Sequence, residues 1–203
     1  MLKLYITRHG ETEWNVEKRM QGWKNSNLTP KGVAHAIALG NRLGDVHIKS
    51  IYSSPSGRAM QTAELVRGSR NIKIIQDDRL REINLGEWEG KTAAEIEEID
   101  REGLKAFWDN PHLYVPKTGE SFQTVRDRVS DVINEIIKEN ESGGVLIVTH
   151  AVVVKTIMSI FKGLNVEKLW EPPFIHGTGL SIVEVDVKEA RILAEGDLSH
   201  VNT

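Results

Sequence analysis

The sequence contains no cysteine. Disulfides, cysteine-ligated metals and cysteine nucleophiles are therefore excluded together. Basic residues are not in excess either: 26 Lys and Arg against 29 Asp and Glu leave a net charge of −3. With no basic arm and no basic amphipathic stretch, neither nucleic acid nor a membrane surface is expected as a partner. No apolar run approaches the ~20 residues of a membrane-spanning helix. The chain enters its first strand at Leu2, so no secretory leader is expected and a cytoplasmic location is. Three catalytic signatures are missing: a glycine-rich loop ending in Lys-Ser or Lys-Thr, a Gly-x-Ser-x-Gly elbow and a His-Glu-x-x-His helix. Carboxylates do not cluster with histidines at metal-ligand spacing, and Asp77-Asp78 stands apart. The expectation is no metal and no cofactor.

What is present is an ordinary apolar content, 39%, in 203 residues. That suits one domain over 1–203 with a sizeable core. Apolar runs at Leu2–Thr7, Ser50–Ser53, Asn71–Ile75 and Val145–His150 read as strands, each followed by a helical stretch or loop. Thr29-Pro30 caps and opens a helix whose inward face is Val33, Ala36, Ile37, Gly40 and Leu43. A second helix begins near Arg58, with Met60, Ala63 and Val66 or Leu65 inward. From Glu120 a longer one carries Phe122, Val125, Val129, Val132, Ile133 and Ile136 on one stripe. Glu13 to Asn27 and Leu80 to Gly90 read as loops, Thr92 to Asp109 as two acidic helical stretches, and Phe107 to Pro116 as a packed surface connection or a lid. Thr178–Val185 and Ala190–Ala194 read as a terminal hairpin at a sheet edge. Strands alternating with helices predict an α/β fold with a parallel-rich sheet covered on both faces.

Two of the apolar strands end in histidine, at His9 and His150. Strand ends of such a sheet face one crevice, so the two imidazoles are expected to meet there. Arg8 precedes the first, and Arg58 stands at a helix start. Solvated polar residues at a strand end would read the same way for Arg8-His9 alone; the second histidine and second arginine favour a site. A metal held by His9 and His150 is opposed by the two arginine charges. An anion pocket with a histidine nucleophile fits better, since two guanidinium forks match a phosphate monoester and neighbouring cations disfavour the imidazolium. Such catalysis needs an acid for the leaving oxygen and later a base for water. Spacing alone does not separate Glu82 from Glu87 or Glu89 for that role.

The residues Thr7-Arg8-His9-Gly10-Glu11-Thr12 with Trp14-Asn15, Gly22-Trp23, Leu28-Thr29-Pro30-Lys31-Gly32, Ser53-Ser54-Pro55-Ser56-Gly57-Arg58-Ala59 with Gln61-Thr62-Ala63, Leu80-Arg81-Glu82 and Val148-Thr149-His150 resemble, in order, the motifs of the histidine phosphatase superfamily. The superfamily is also called phosphoglycerate-mutase-like, and the resemblance is nearest to its bacillus-type broad-specificity phosphatases. It implies a three-layer α/β/α fold, a mostly parallel sheet with an antiparallel edge strand, and no metal. It implies His9 as the phosphorylated nucleophile, Arg8, Arg58 and His150 as a cradle for the phosphoryl group, and Glu82 as proton donor. Asn15, Gln21, Gly22 and Ala151 are implied at the substrate. Many members carry glycine at the position of Ala151, where a methyl group is expected to have a small effect.

The activity implied is metal-independent hydrolysis of small organic phosphate monoesters, with broad specificity and inorganic phosphate as product. A phosphoglycerate mutase is the first alternative. It calls for a long, closed, basic lid, whereas the stretch between Glu82 and His150 is short and is acidic from Glu95 to Glu102. Residues 92–120 are expected as a small helical and loop insertion over the active site. A phospho-ligand-binding module without catalysis is the second alternative, opposed by the presence of both histidines, both arginines and Glu82. Trp14, Trp23, Trp88, Trp108, Phe107 and Tyr114 are candidates for an apolar mouth or for packing, with packing expected of Trp14 and Trp88. His35, His47, His112, His176 and His200 are expected at the surface or in packing.

Overall fold

The computed structural model describes residues 1–186 and 189–201. Its centre is a six-stranded sheet made of β1 (Leu2–Arg8), β2 (Ile48–Ser53), β3 (Lys73–Gln76), β4 (Gly143–Thr149), β5 (Leu180–Val185) and β6 (Ala190–Asp197). The strand order is β3-β2-β4-β1-β5-β6. The β1, β2, β3 and β4 neighbours pair in parallel, and the β5–β6 hairpin adds antiparallel pairs at the edge.

Helices cover both faces because the strands alternate. Leu4, Ile6, Val145 and Ile147 face one core, packed with the stripe Val125, Val129, Val132 and Ile136 of α5 (Phe122–Glu139) and with Val153 and Ile157 of α6 (Ala151–Phe161). Tyr5, Leu146 and Val148 face the other, packed with α2 (Pro30–Arg42) and α3 (Gly57–Arg67). This is the three-layer α/β/α arrangement. No helix among the described residues is long and apolar enough to cross a membrane.

Local sequence explains where the helices begin. Thr29 accepts from the Gly32 amide with Pro30 at the first helical position, and Ser121 accepts from the Thr124 amide. Thr92 and Glu95 form a reciprocal capping box for α4 (Ala93–Asp109). Asp100 leaves helical geometry inside α4, with φ −158°, and its carboxylate accepts from the Gly103 amide at 3.3 Å. It therefore caps a second helical piece, and the two acidic stretches read from the sequence are the two halves.

Two local readings change, and a third is decided between its alternatives. Residues 13–27 contain a helical turn, α1 (Glu13–Val16), because Thr12 and Asn15 cap each other's backbone amides. Ile37 is 45% exposed, and Leu39 takes an inward position on α2, buried with Ala36 and Leu43 against Ala59, Ala63 and Val66 of α3. The segment 107–116 is a surface connection packed through Phe107, Pro111 and Tyr114, with Leu113 and Val115 exposed; Phe107 is the hub of an aromatic cluster with Trp88, Tyr114, Phe122 and Trp170, at centroid distances of 4.8–5.7 Å. Trp88 and Tyr114 are buried with it.

Candidate active site

The parallel register of β1 and β4 decides the centre of the site. Arg8 lies opposite Thr149, so the next residues, His9 and His150, leave adjacent strands side by side. The His9 amide donates to Thr149 O at 2.9 Å, and the two rings stand edge to face with centroids 5.2 Å apart. Both rings are buried, His150 completely.

Hydrogen bonds settle both tautomers. A carbonyl only accepts, so the 2.7 Å contact from His9 Nδ1 to Gly10 O puts the ring proton on Nδ1. His9 Nε2 is left with its lone pair and receives Arg58 Nε at 3.2 Å. Arg58 Nη2 donates to His150 Nδ1 at 3.1 Å, so His150 carries its proton on Nε2, 2.8 Å from Ser54 Oγ and 3.1 Å from Ser56 Oγ. Burial first, then the charges of Arg58 and Arg8, hold His9 well below the ordinary imidazole range, partly offset by the Gly10 carbonyl. His150 is lowered by burial, then by Arg58 and His9. Both rings are neutral near pH 7.

Arg58 comes from the first turn of α3 and is 1% exposed. Its Nη1 donates to Lys24 O and its Nη2 to Gly22 O, each at 2.7 Å, and Asn25 Oδ1 accepts from its backbone amide at 3.0 Å. Burial lowers its pKa to about 10, so it stays a cation. Arg8 donates Nη1 to Ile175 O at 2.9 Å, while its Nε is buried without a partner. A buried, unpartnered guanidinium nitrogen beside a second arginine suits an anion.

The three carboxylates left equal by spacing separate here. Glu87 is exposed. Glu89 is buried and accepts from the amides of Trp23 (2.8 Å), Lys24 (2.9 Å) and Leu85 (3.2 Å). Glu82 alone lines the cavity with His9, Arg8 and Arg58. Burial raises its pKa, opposed by the amides of Ile83 (3.0 Å) and Val152 (3.3 Å), then by Arg58 and Arg8.

The other expected contacts divide. Asn15, Gln21, Gly22 and Ala151 all line the same cavity of about 380 Å³. Asn15 Oδ1 is engaged by the Thr12 amide at 3.1 Å, and Gln21 is buried, donating to Thr12 Oγ1 and accepting from Ser26 Oγ. Their hydrogen bonds brace the loop. Gly22 acts through its carbonyl on Arg58, with φ +57°. Ala151 opens α6 directly after His150.

The mouth of the cavity is apolar: Met20, Ile83, Phe107, Trp108, Trp170 and Phe174. Of the aromatics expected there, Phe107 and Trp108 line it; Trp23 instead lies at the surface, donating Nε1 to Glu82 O at 2.9 Å. Trp170 and Phe174 were missed by sequence reasoning. The only signal was the irregular Trp170-Glu171-Pro172-Pro173-Phe174, which has no period to place it. His200, unlike His35, His47, His112 and His176, is buried, 3.1 Å from Thr178 Oγ1.

Comparison with known proteins agrees with this geometry. A family profile described as histidine phosphatase superfamily (branch 1) matches residues 4–197. The structure of Bacillus stearothermophilus YhfR superposes with a TM-score of 0.97 at 51% identity, covering 99% of this chain and 100% of that one. Phosphoserine phosphatase 1 of Hydrogenobacter thermophilus is 32% identical over 84% of this chain and 81% of its own length. A probable phosphoglycerate mutase GpmB of Escherichia coli is 32% identical over 100% of this chain and 96% of its own.

Proposed function

The chain belongs to the histidine phosphatase superfamily (branch 1), and from that premise we propose that it is a phosphatase that hydrolyses small organic phosphate monoesters through a phosphohistidine at His9. The observation that carries this reading is the state of His9: neutral, its Nδ1 proton tied to Gly10 O, its Nε2 lone pair turned to Arg58 in a pocket that Arg8 and Glu82 also line.

In the first step His9 Nε2 gives its electron pair to phosphorus as the P–O bond to the alcohol breaks. The leaving oxygen takes a proton from the Glu82 carboxyl, and Arg8 and Arg58 balance the charge on the phosphoryl oxygens. His150, completely buried and off the cavity wall, uses Nδ1 on Arg58 and Nε2 on Ser54 and Ser56, so its part is to hold Arg58 in place beside His9. In the second step the Glu82 carboxylate takes a proton from water, the resulting hydroxide attacks phosphorus, and inorganic phosphate leaves as the P–N bond breaks. A raised Glu82 pKa suits both roles, because the group must exist as acid and as base within one cycle.

Broad specificity follows from the mouth. Beyond the phosphate-binding floor the walls are chiefly aromatic and aliphatic, offering contact area and few directional partners. Among the described residues, the one cation on the wall beyond that floor, Arg19, is already paired with Glu17 (2.9 Å) and Glu95 (3.2 Å). Such a site favours apolar or aromatic alcohols over those with a second anionic group, which disfavours a phosphoglycerate mutase reaction.

The test is hydrolysis of p-nitrophenyl phosphate, radiolabelled at phosphorus, in EDTA, with a rapid alkaline quench to trap the labelled enzyme. Turnover in EDTA, an acid-labile, alkali-stable phosphoenzyme and its loss in His9→Ala are expected. Full activity in His9→Ala refutes the phosphohistidine route, and interconversion of 3- and 2-phosphoglycerate faster than their hydrolysis replaces the phosphatase by the mutase.

A further inference from the structure

The segment that carries Glu82 has no regular secondary structure between the short turns at 78–80 and 86–88, yet a general acid must be held to a fraction of an ångström. Arg128, on α5 and outside the cavity, supplies the constraint. Its Nη1 donates to Arg79 O and to Arg81 O, both at 2.7 Å, and its Nη2 to Glu82 O at 3.0 Å. The remaining two donors, Nε and the second Nη2 hydrogen, go to Glu120 Oε1 and Oε2, each at 2.9 Å. All five guanidinium hydrogens are therefore used. Glu120 in turn accepts from the Asn84 amide at 2.8 Å. The Arg128–Glu120 pair thus grips the backbone on both sides of Glu82, while Thr149 Oγ1 holds Leu80 O at 2.6 Å from the end of β4.

The geometry assigns Arg128 as a positioning residue for the proton donor: a fork on α5 that fixes the 79–82 carbonyls and so aims the Glu82 carboxyl at the oxygen leaving His9-bound phosphorus. This rests on the assignment of Glu82 as acid in the proposed reaction. Lysine cannot replace the fork, because an ammonium has three donors radiating from one point.

A brace that served folding alone would slow every substrate alike. A brace for the acid slows those substrates whose leaving group needs a proton. The experiment compares kcat/KM, which reports the phosphorylation step, for β-glycerophosphate, with a basic alkoxide leaving group, and for p-nitrophenyl phosphate, whose phenolate departs without help. Parent, Arg128→Lys, Arg128→Ala and Glu82→Gln are measured below each variant's melting temperature. Glu82→Gln is expected to lose ~10²-fold or more on the alkyl ester and far less on the aryl ester. Arg128→Ala is expected to show the same selective loss, up to ~10²-fold, with Arg128→Lys close to it. Should Arg128→Ala not fold, Arg128→Lys and Glu120→Gln carry the comparison. Equal losses on both esters in Glu82→Gln overturn the acid assignment. A selective Glu82→Gln with unselective or unaffected Arg128 variants overturns the role of Arg128 alone.

Discussion

Gly22→Ala tests how the floor of the site is held. Gly22 sits at φ +57°, and a Cβ there stands 2.2 Å from Glu89 Oε1 and 2.7 Å from its Cδ. The left-handed backbone costs an alanine about 1–2 kcal/mol. The collision adds to this, because Glu89 is buried and its oxygens are engaged by the amides of Trp23, Lys24 and Leu85. Pushing the carboxylate away sacrifices at least one charge-assisted hydrogen bond, worth ~1.5–3 kcal/mol. The sum is a loss of ~2.5–5 kcal/mol, a large fraction of a typical domain's stability. If the 21–24 turn moves instead, Gly22 O and Lys24 O move with it, and these fix Arg58. A displacement of Arg58 near 1 Å is expected to lower kcat/KM by ~10²-fold. Gly163→Ala is the control, since Gly163 ends α6 at φ +65°, the Leu164 amide donates to Ser159 O at 2.9 Å, and nothing lies within 4 Å of its Cβ position; only the ~1–2 kcal/mol backbone cost is expected. Urea unfolding and phosphatase kinetics on all three proteins make the comparison. Gly22→Ala matching Gly163→Ala in both stability and activity refutes the reasoning.

Trp108→Ala and Phe174→Ala are expected to lower kcat/KM for naphthyl phosphate by about fivefold each, the equivalent of ~1 kcal/mol of lost apolar contact, and to spare β-glycerophosphate; equal effects on the two esters contradict the apolar mouth. Folding is also expected to depend on pH through His200, whose pKa is lowered to about 4 by burial and then by Arg42. The unfolded chain protonates this imidazole near 6.5 and the folded one resists until about 4. Its contribution is complete above ~6.5 and lost as pH falls toward 4, by up to ~3 kcal/mol. Urea unfolding from pH 7 to 4.5 should therefore show a shallower decline in His200→Gln than in the parent, and parallel declines refute this.

The sequence by itself determined the layers, because alternation along Leu4-Tyr5-Ile6 and Val145-Leu146-Ile147-Val148 assigns a core to each face of the sheet, and the α5 stripe at helical spacing has one side to bury. Local chemistry likewise placed the cap at Thr29. It also marked the two strand-end histidines and the two arginines, since abrupt polar ends of apolar strands are visible without any partner. Tertiary structure decided what depends on neighbours distant in sequence. Strand register put His9 beside His150, and the acceptors Gly22 O and Lys24 O froze Arg58. Burial and the two distant amides of Trp23 and Lys24, with the nearby amide of Leu85, turned Glu89 into a structural anchor, leaving Glu82 to face the cavity. The apolar mouth was decided there too. Trp170 and Phe174 sit in a proline-rich stretch with no period, so nothing local says which way they point, and only packing against Phe107 and the end of β1 brings that stretch to the site.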